Sequence, residues 1–94
     1  GPSAKQMMFL ARELEERGDI DNALLRYRQA VAMEPSNPVA HVAIAKFLLR
    51  HDYEPAAVHH LRAAYDLDPA NRWVIEELLA RDQLPPVNPA AGRS

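Results

Sequence analysis

An all-α fold of stacked helix–turn–helix units is predicted for this chain, and three observations predict it. Glu34-Pro35-Ser36-Asn37 returns 34 residues later as Asp68-Pro69-Ala70-Asn71. Sliding the 94-residue chain against itself by 34 lays Leu10-Ala11 on Ile44-Ala45, Leu14 on Leu48, Ala23 on Ala57, Ala30 on Ala64 and Met33 on Leu67. Within each copy the apolar residues step by three and four, the helical period. A fixed repeat of this length marks units that bury their apolar faces only against neighbours.

The elements follow in order. A first helix over 4–17 turns Met7, Leu10, Ala11 and Leu14 to one side, and Gly18-Asp19 stops it, because glycine takes the left-handed conformation without penalty. A second, over 21–33, carries Ala23, Tyr27, Ala30 and Val31 and ends before Pro35. Asn37 is an N-cap with Pro38 at the first helical position, opening a third helix over 38–51 with His41, Ile44, Ala45 and Leu48 inward. Pro55 opens a fourth over 55–67, bearing Ala57, Leu61, Ala64 and Tyr65. Asn71 caps a fifth over 72–83, with Ile75, Leu78 and Leu79 inward and Glu76, Glu77, Arg81 and Asp82 outward. Gly1-Pro2-Ser3 has the look of a cleaved expression tag, although Ser3 and Gln6 have capping-box spacing. The domain is expected over 4–84, with repeats at 4–37 and 38–71 and a capping helix at 72–83. Residues 85–94, with three prolines and no apolar period, read as a linker.

Composition narrows the function classes. A chain with 48% hydrophobic and 26% charged residues is an ordinary globular one, and its length suits a single domain. A net charge of −2 supplies no long-range field for nucleic acid or an anionic membrane surface, so neither is an expected partner. No stretch approaches the roughly 20 apolar residues of a membrane span. With no cysteine, thiolate chemistry and disulfides drop out. The compartment stays open, with the cytoplasm the default expectation.

The first copy holds Leu10-Ala11, Leu14, Gly18-Asp19-Ile20, Ala23, Tyr27, Ala30 and Pro35 in order, and the second keeps Ile44-Ala45, Leu48, Ala57, Leu61, Ala64 and Pro69. This pattern resembles the tetratricopeptide repeat over about residues 4–83. The second copy departs from it twice. His51-Asp52-Tyr53-Glu54 replaces the glycine turn, implying a different interhelical turn, and His41 replaces a large apolar residue, implying a looser start to the third helix. The resemblance implies a short right-handed α-solenoid of two repeats plus a capping helix. It also implies a concave groove, lined by the first helix of each pair, that captures a short segment of a protein partner.

Carried onto this sequence, the groove face offers Lys5, Met8, Phe9, Arg12 and Glu16 of the first helix, Val39, Val42, Ala43, Lys46 and Arg50 of the third, and Trp73, Glu76, Glu77 and Ala80 of the fifth. The expected partner contacts are Met8, Phe9, Arg12, Val39, Val42, Ala43, Lys46, Arg50, Trp73 and Glu77. Met8, Phe9, Val39, Val42 and Trp73 form an apolar strip, and contiguous exposed apolar area marks contact sites. Phe9, Val42 and Trp73 are the expected anchors. Packing within the fold is the competing role for each. Arg12, Lys46 and Arg50 would add a positive lip suited to a carboxylate. Family members that clamp the carboxylate of chaperone tails use lysine and asparagine at such stations. Met8, Arg12, Ala43, Trp73 and Glu77 stand there here, so that ligand is not expected.

No other chemistry is legible. His59 and His60 diverge by about 100° on a helix and cannot share an ion, and the histidines are expected to be exposed, with no metal or cofactor. Glu13, Glu15, Glu16, Glu76 and Glu77 read as solvated helix surface rather than acid–base pairs. No phosphate loop or strained nucleophile is present, so catalysis is not expected. The alternative to peptide capture is an oligomerisation or docking unit appended to an enzyme, using the same face for a homodimer or a neighbouring domain.

Overall fold

The computed structural model describes residues 1–86, so the linker expectation for 85–94 lies outside the described residues from 87 onward. Five helices and no strand occur among them: α1 (Ala4–Glu16), α2 (Ile20–Met33), α3 (Pro38–Arg50), α4 (Glu54–Leu67) and α5 (Arg72–Ala80). Helix α1 pairs with α2 and α3 with α4, the pairs stack through α2 and α3, and α5 lies on α4. Contacts concentrate within the two pairs, whose helices approach closely.

Alanine permits that approach. Ala11, Ala23, Ala45 and Ala57 have no exposed surface, and Ala30 and Ala64 have almost none. Ala11, Ala23 and Ala57 share one buried cluster with Tyr27, Ile44, Phe47 and Leu48. A second joins Ala45, Leu61 and Ala64 to Val74 and Leu78 of α5. Phe47 and Val74, which the sequence pattern does not single out, are fully buried. The Phe47 ring lies 5.0 Å from that of Tyr27, tying the two pairs together. Burying a phenylalanine contributes about 1.5–3 kcal/mol, and a tilted aromatic pair about 0.5–1.5 more. Two residues expected inward are not buried: Leu79 is 58% exposed and Leu10 39%.

Helix starts follow the capping residues. Asn37 and Asn71 accept from the backbone N–H groups of Val39 and Val74. Ser3 and Gln6 close a full capping box, with Ser3 N–H donating to Gln6 Oε1 at 2.8 Å and Gln6 N–H to Ser3 Oγ at 3.1 Å.

The ends of α1, α3 and α5 share one geometry. After α1, Gly18 takes φ 81°, Asp19 N–H donates to Leu14 O and Gly18 N–H to Glu15 O, the two bonds of a Schellman cap. The expectation of a different turn in the second copy is corrected. Asp52 takes φ 61°, and Tyr53 N–H and Asp52 N–H donate to Leu48 O and Leu49 O in the same pattern. Aspartate is among the few side chains that tolerate this region.

Helix α5 ends at Ala80, shorter than the expected 72–83, with Asp82 at φ 54° and the same paired bonds to Leu78 and Leu79. The left-handed turn at Asp82 ends the helix, and Pro85, which disfavours a helical Leu84 before it, bars its continuation. Leu84 folds back onto the second cluster instead.

A Cβ added to Gly18 meets nothing within 4 Å, so Gly18→Ala has only backbone strain to overcome, about 1 kcal/mol. Asp52→Gly relieves the same strain and is expected to stabilise by about 0.5 kcal/mol. Urea unfolding of the two variants should give opposite signs, and equal signs would contradict this account of the turns.

Candidate functional site

A cavity of about 480 Å³ opens between α1 and α3. Arg12, Glu15 and Glu16 of α1, Val39, Val42, Ala43, Lys46 and Arg50 of α3, and Tyr27 of α2 line it. The α3 contributions sit at steps of three and four along one stripe, opposite the buried stripe of Ala40, Ile44, Phe47 and Leu48.

Six of the ten expected partner contacts line this cavity together: Arg12, Val39, Val42, Ala43, Lys46 and Arg50. The other four do not. Phe9 is 63% exposed outside it, and Met8 is half-buried between two core clusters. Trp73 packs on the second cluster with the Lys46 ammonium 5.0 Å from its ring centroid. Glu77 Oε2 accepts from Arg81 at 2.7 Å, one turn along its own helix. The apolar strip is therefore divided: Phe9 and Val39 are exposed, while Met8, Val42 and Trp73 are half-buried.

Electrostatics depart further from the sequence reading. Arg50 is not a free cation, since its Nε and Nη2 donate to the two Glu15 carboxylate oxygens at 2.9 and 2.7 Å. His51 Nε2 lies 2.6 Å from Glu15 Oε2, and the His51 ring rests on Phe47 at 4.7 Å. Glu15 is thus no solvated surface charge. Its side chain is 16% exposed, and the hydrogen bond from Arg50, aided by His51, holds its carboxyl below the usual range against the opposing effect of burial. Tyr27 is shifted upward, first by burial and then by the Glu15 charge. Three cations and two carboxylates line the cavity. With Arg50 neutralised by Glu15, Arg12 and Lys46 remain without a carboxylate partner among the described residues.

Sequence reasoning places Glu16 on the groove side of the first helix but misses Glu15 and Tyr27 as cavity residues. Tyr27 reads as core filler, which it is, though its edge also reaches the cavity floor. Glu15 and Arg50 lie 35 apart, one more than the period. Opposite charges at equal heights on equivalent helices are the available signal.

The bidentate Glu15–Arg50 pair clamps α1 to α3 beneath the cavity. A double-mutant cycle with Glu15→Gln and Arg50→Met should give a coupling of about 1 kcal/mol, the upper range for a partly exposed pair of good geometry. Because the Glu15 pKa is lowered on folding, this contribution is present above pH 4.5 and lost as pH falls below it. A coupling indistinguishable from zero in neutral urea titrations would remove the clamp. In comparison with known proteins, neither a family model nor a curated protein matches this chain.

Proposed function

We propose that this domain is a protein-recognition module that holds a short segment of a partner in the cavity between α1 and α3. The observation that supports this best is the pairing of an apolar wall, Val39, Val42 and Ala43, with Arg12 and Lys46, two cations without a carboxylate partner among the described residues, around about 480 Å³. That volume lies within the range of small-ligand and side-chain pockets, roughly 300–1,000 Å³. The fitting segment carries an apolar side chain beside a carboxylate. The resemblance to tetratricopeptide repeats points the same way, since such groove helices receive peptides.

Catalysis stays outside the proposal. A general acid or base works best with a pKa near the operating pH, whereas the cavity's perturbed groups move away from neutrality, Glu15 downward and Tyr27 upward.

A second reading, a docking or oligomerisation unit, draws on Leu79. It stands in register with Ala11 and Ala45, which are fully buried within their pairs, yet is 58% exposed because no described helix pairs with α5.

Selection from a random peptide library should return segments joining an apolar residue to Asp or Glu. NMR titration with them should shift α1 and α3 amides, and Lys46→Glu should weaken binding at least about tenfold, the scale of one charge-assisted contact. Shifts confined to the outer faces of α2 and α4 would sink the groove reading. So would a concentration-dependent dimer, seen by light scattering, that Phe9→Asp dissociates.

A further inference from the structure

The first helix of each pair grips the second through one stripe of side chains. In α1 the stripe is Ala4, Met7, Ala11 and Leu14, which share buried clusters with Ala23 and Ala30 of α2. In α3, 34 residues on, it is Pro38, His41, Ala45 and Leu48, and the last two share clusters with Ala57, Leu61 and Ala64 of α4. His41 belongs to the same seam. Contrary to the expectation of exposed histidines and a looser start to α3, it is only 6% exposed. Its Nε2 lies 2.7 Å from the Pro35 carbonyl in the α2–α3 turn, and its Nδ1 lies 3.1 Å from Nδ1 of the half-buried His60 on α4.

A further 34 residues along, the stripe is Arg72, Ile75, Leu79 and Asp82. Helix α5 packs on α4 through Val74 and Leu78 instead, and no described helix covers this side of it, so Arg72, Leu79 and Asp82 are exposed and Ile75 is half-buried. The stripe reads cation, apolar, apolar, anion. Reversed, it reads anion, apolar, apolar, cation, so it complements a second copy of itself laid antiparallel. About a two-fold axis at the height of Glu77, Arg72 faces Asp82 of the second copy and Ile75 faces its Leu79, each contact occurring twice. Neither Arg72 nor Asp82 has an ion-pair partner among the described residues. Both also oppose the dipole of their own helix, a cation at its N-terminus and an anion just past its C-terminus. In the antiparallel arrangement each reaches the favourable end of the other copy's helix.

We propose that this stripe docks a second copy of the chain, α5 against α5, in a two-fold dimer. Ile75 and Leu79 anchor it by burying apolar surface, and the two Arg72–Asp82 pairs set the antiparallel direction. The proposal rests on the second reading above, to which it supplies a partner. It is independent of peptide capture, since α5 lines no part of the α1–α3 cavity. A stripe of four residues a side buries less than the roughly 1,200 Å² at which stable interfaces begin, so the dimer is weak, with a dissociation constant of about 0.1 mM.

Sedimentation equilibrium of the whole chain tests the dimer. Between about 10 µM and about 1 mM the mass should rise from that of one chain, 10.6 kDa, toward twice that value. Leu79→Asp should weaken association at least about tenfold with helicity unchanged in circular dichroism, since Leu79 belongs to no buried cluster. Phe9→Asp, on α1, should leave association as it is. Arg72→Glu alone and Asp82→Lys alone each set like charges face to face and should weaken the dimer. An equimolar mixture of the two re-forms both pairs and should associate at least about threefold more tightly than either variant. Should Asp82→Lys disturb its turn, Leu79→Asp still decides the matter. A chain that stays monomeric to about 1 mM would overturn the proposal, yet leave a foreign partner for Leu79 in the second reading. A dimer indifferent to Leu79→Asp, or a mixture of folded variants no tighter than its components, would overturn the antiparallel seat on α5.

Discussion

Close approach of paired helices is the constraint on which the rest of this structure depends. It requires residues without bulk at fixed heights, and the chain supplies Ala11 and Ala23 in one pair and Ala45 and Ala57 in the other, all without exposed surface. Alanine also loses no side-chain entropy on burial and is the best helix former, so the requirement of packing and the preference of the backbone agree. Alanine alone buries too little apolar area to hold a domain. The larger contribution comes where the pairs meet, from Tyr27 against Phe47 and from Ile44 and Leu48 around them.

Much of this architecture is legible because the repeat doubles every signal. Asn37 and Asn71 cap equivalent helices, Pro35 and Pro69 follow equivalent ends, and small residues recur in register. The misreadings arise where the register misleads. Leu79 aligns with Ala11 and Ala45, which points it inward, but burial there depends on a pairing helix, which α5 lacks among the described residues. Asp52 aligns with Gly18, and the loss of glycine suggests a new turn. Backbone hydrogen bonding instead imposes the old turn on a side chain that tolerates it. Phe47 escapes notice because its counterpart in the first copy is the charged Glu13, so repetition offers no hint of a core position.

The cavity is half legible for a related reason. One stripe of α3 can be assigned from spacing alone, and all five residues placed there line the cavity. Charge cannot be assigned in the same way, because pairing between helices depends on the relative height of side chains and not on sequence distance. Arg50 looks free in the sequence and is clasped by Glu15, while Glu77 looks turned to the groove and is clasped by Arg81. Each pairing changes what a ligand would meet, and the first leaves Arg12 and Lys46, opposed by Glu16, to set the charge of the opening.

Helix α3 joins these parts. One of its sides carries Ala40, Ile44, Phe47 and Leu48 into the core, with His41 into the histidine contact, and another presents Val39, Val42, Ala43, Lys46 and Arg50 to the cavity. Leu49, between them, packs against the first cluster. A helix committed on nearly every side has no face on which to move freely. At the far end of the helix, the Glu15–Arg50 pair ties α3 to α1. The core contacts that hold the pairs together and the wall that would meet a partner thus belong to one helix, so both depend on how α3 is seated.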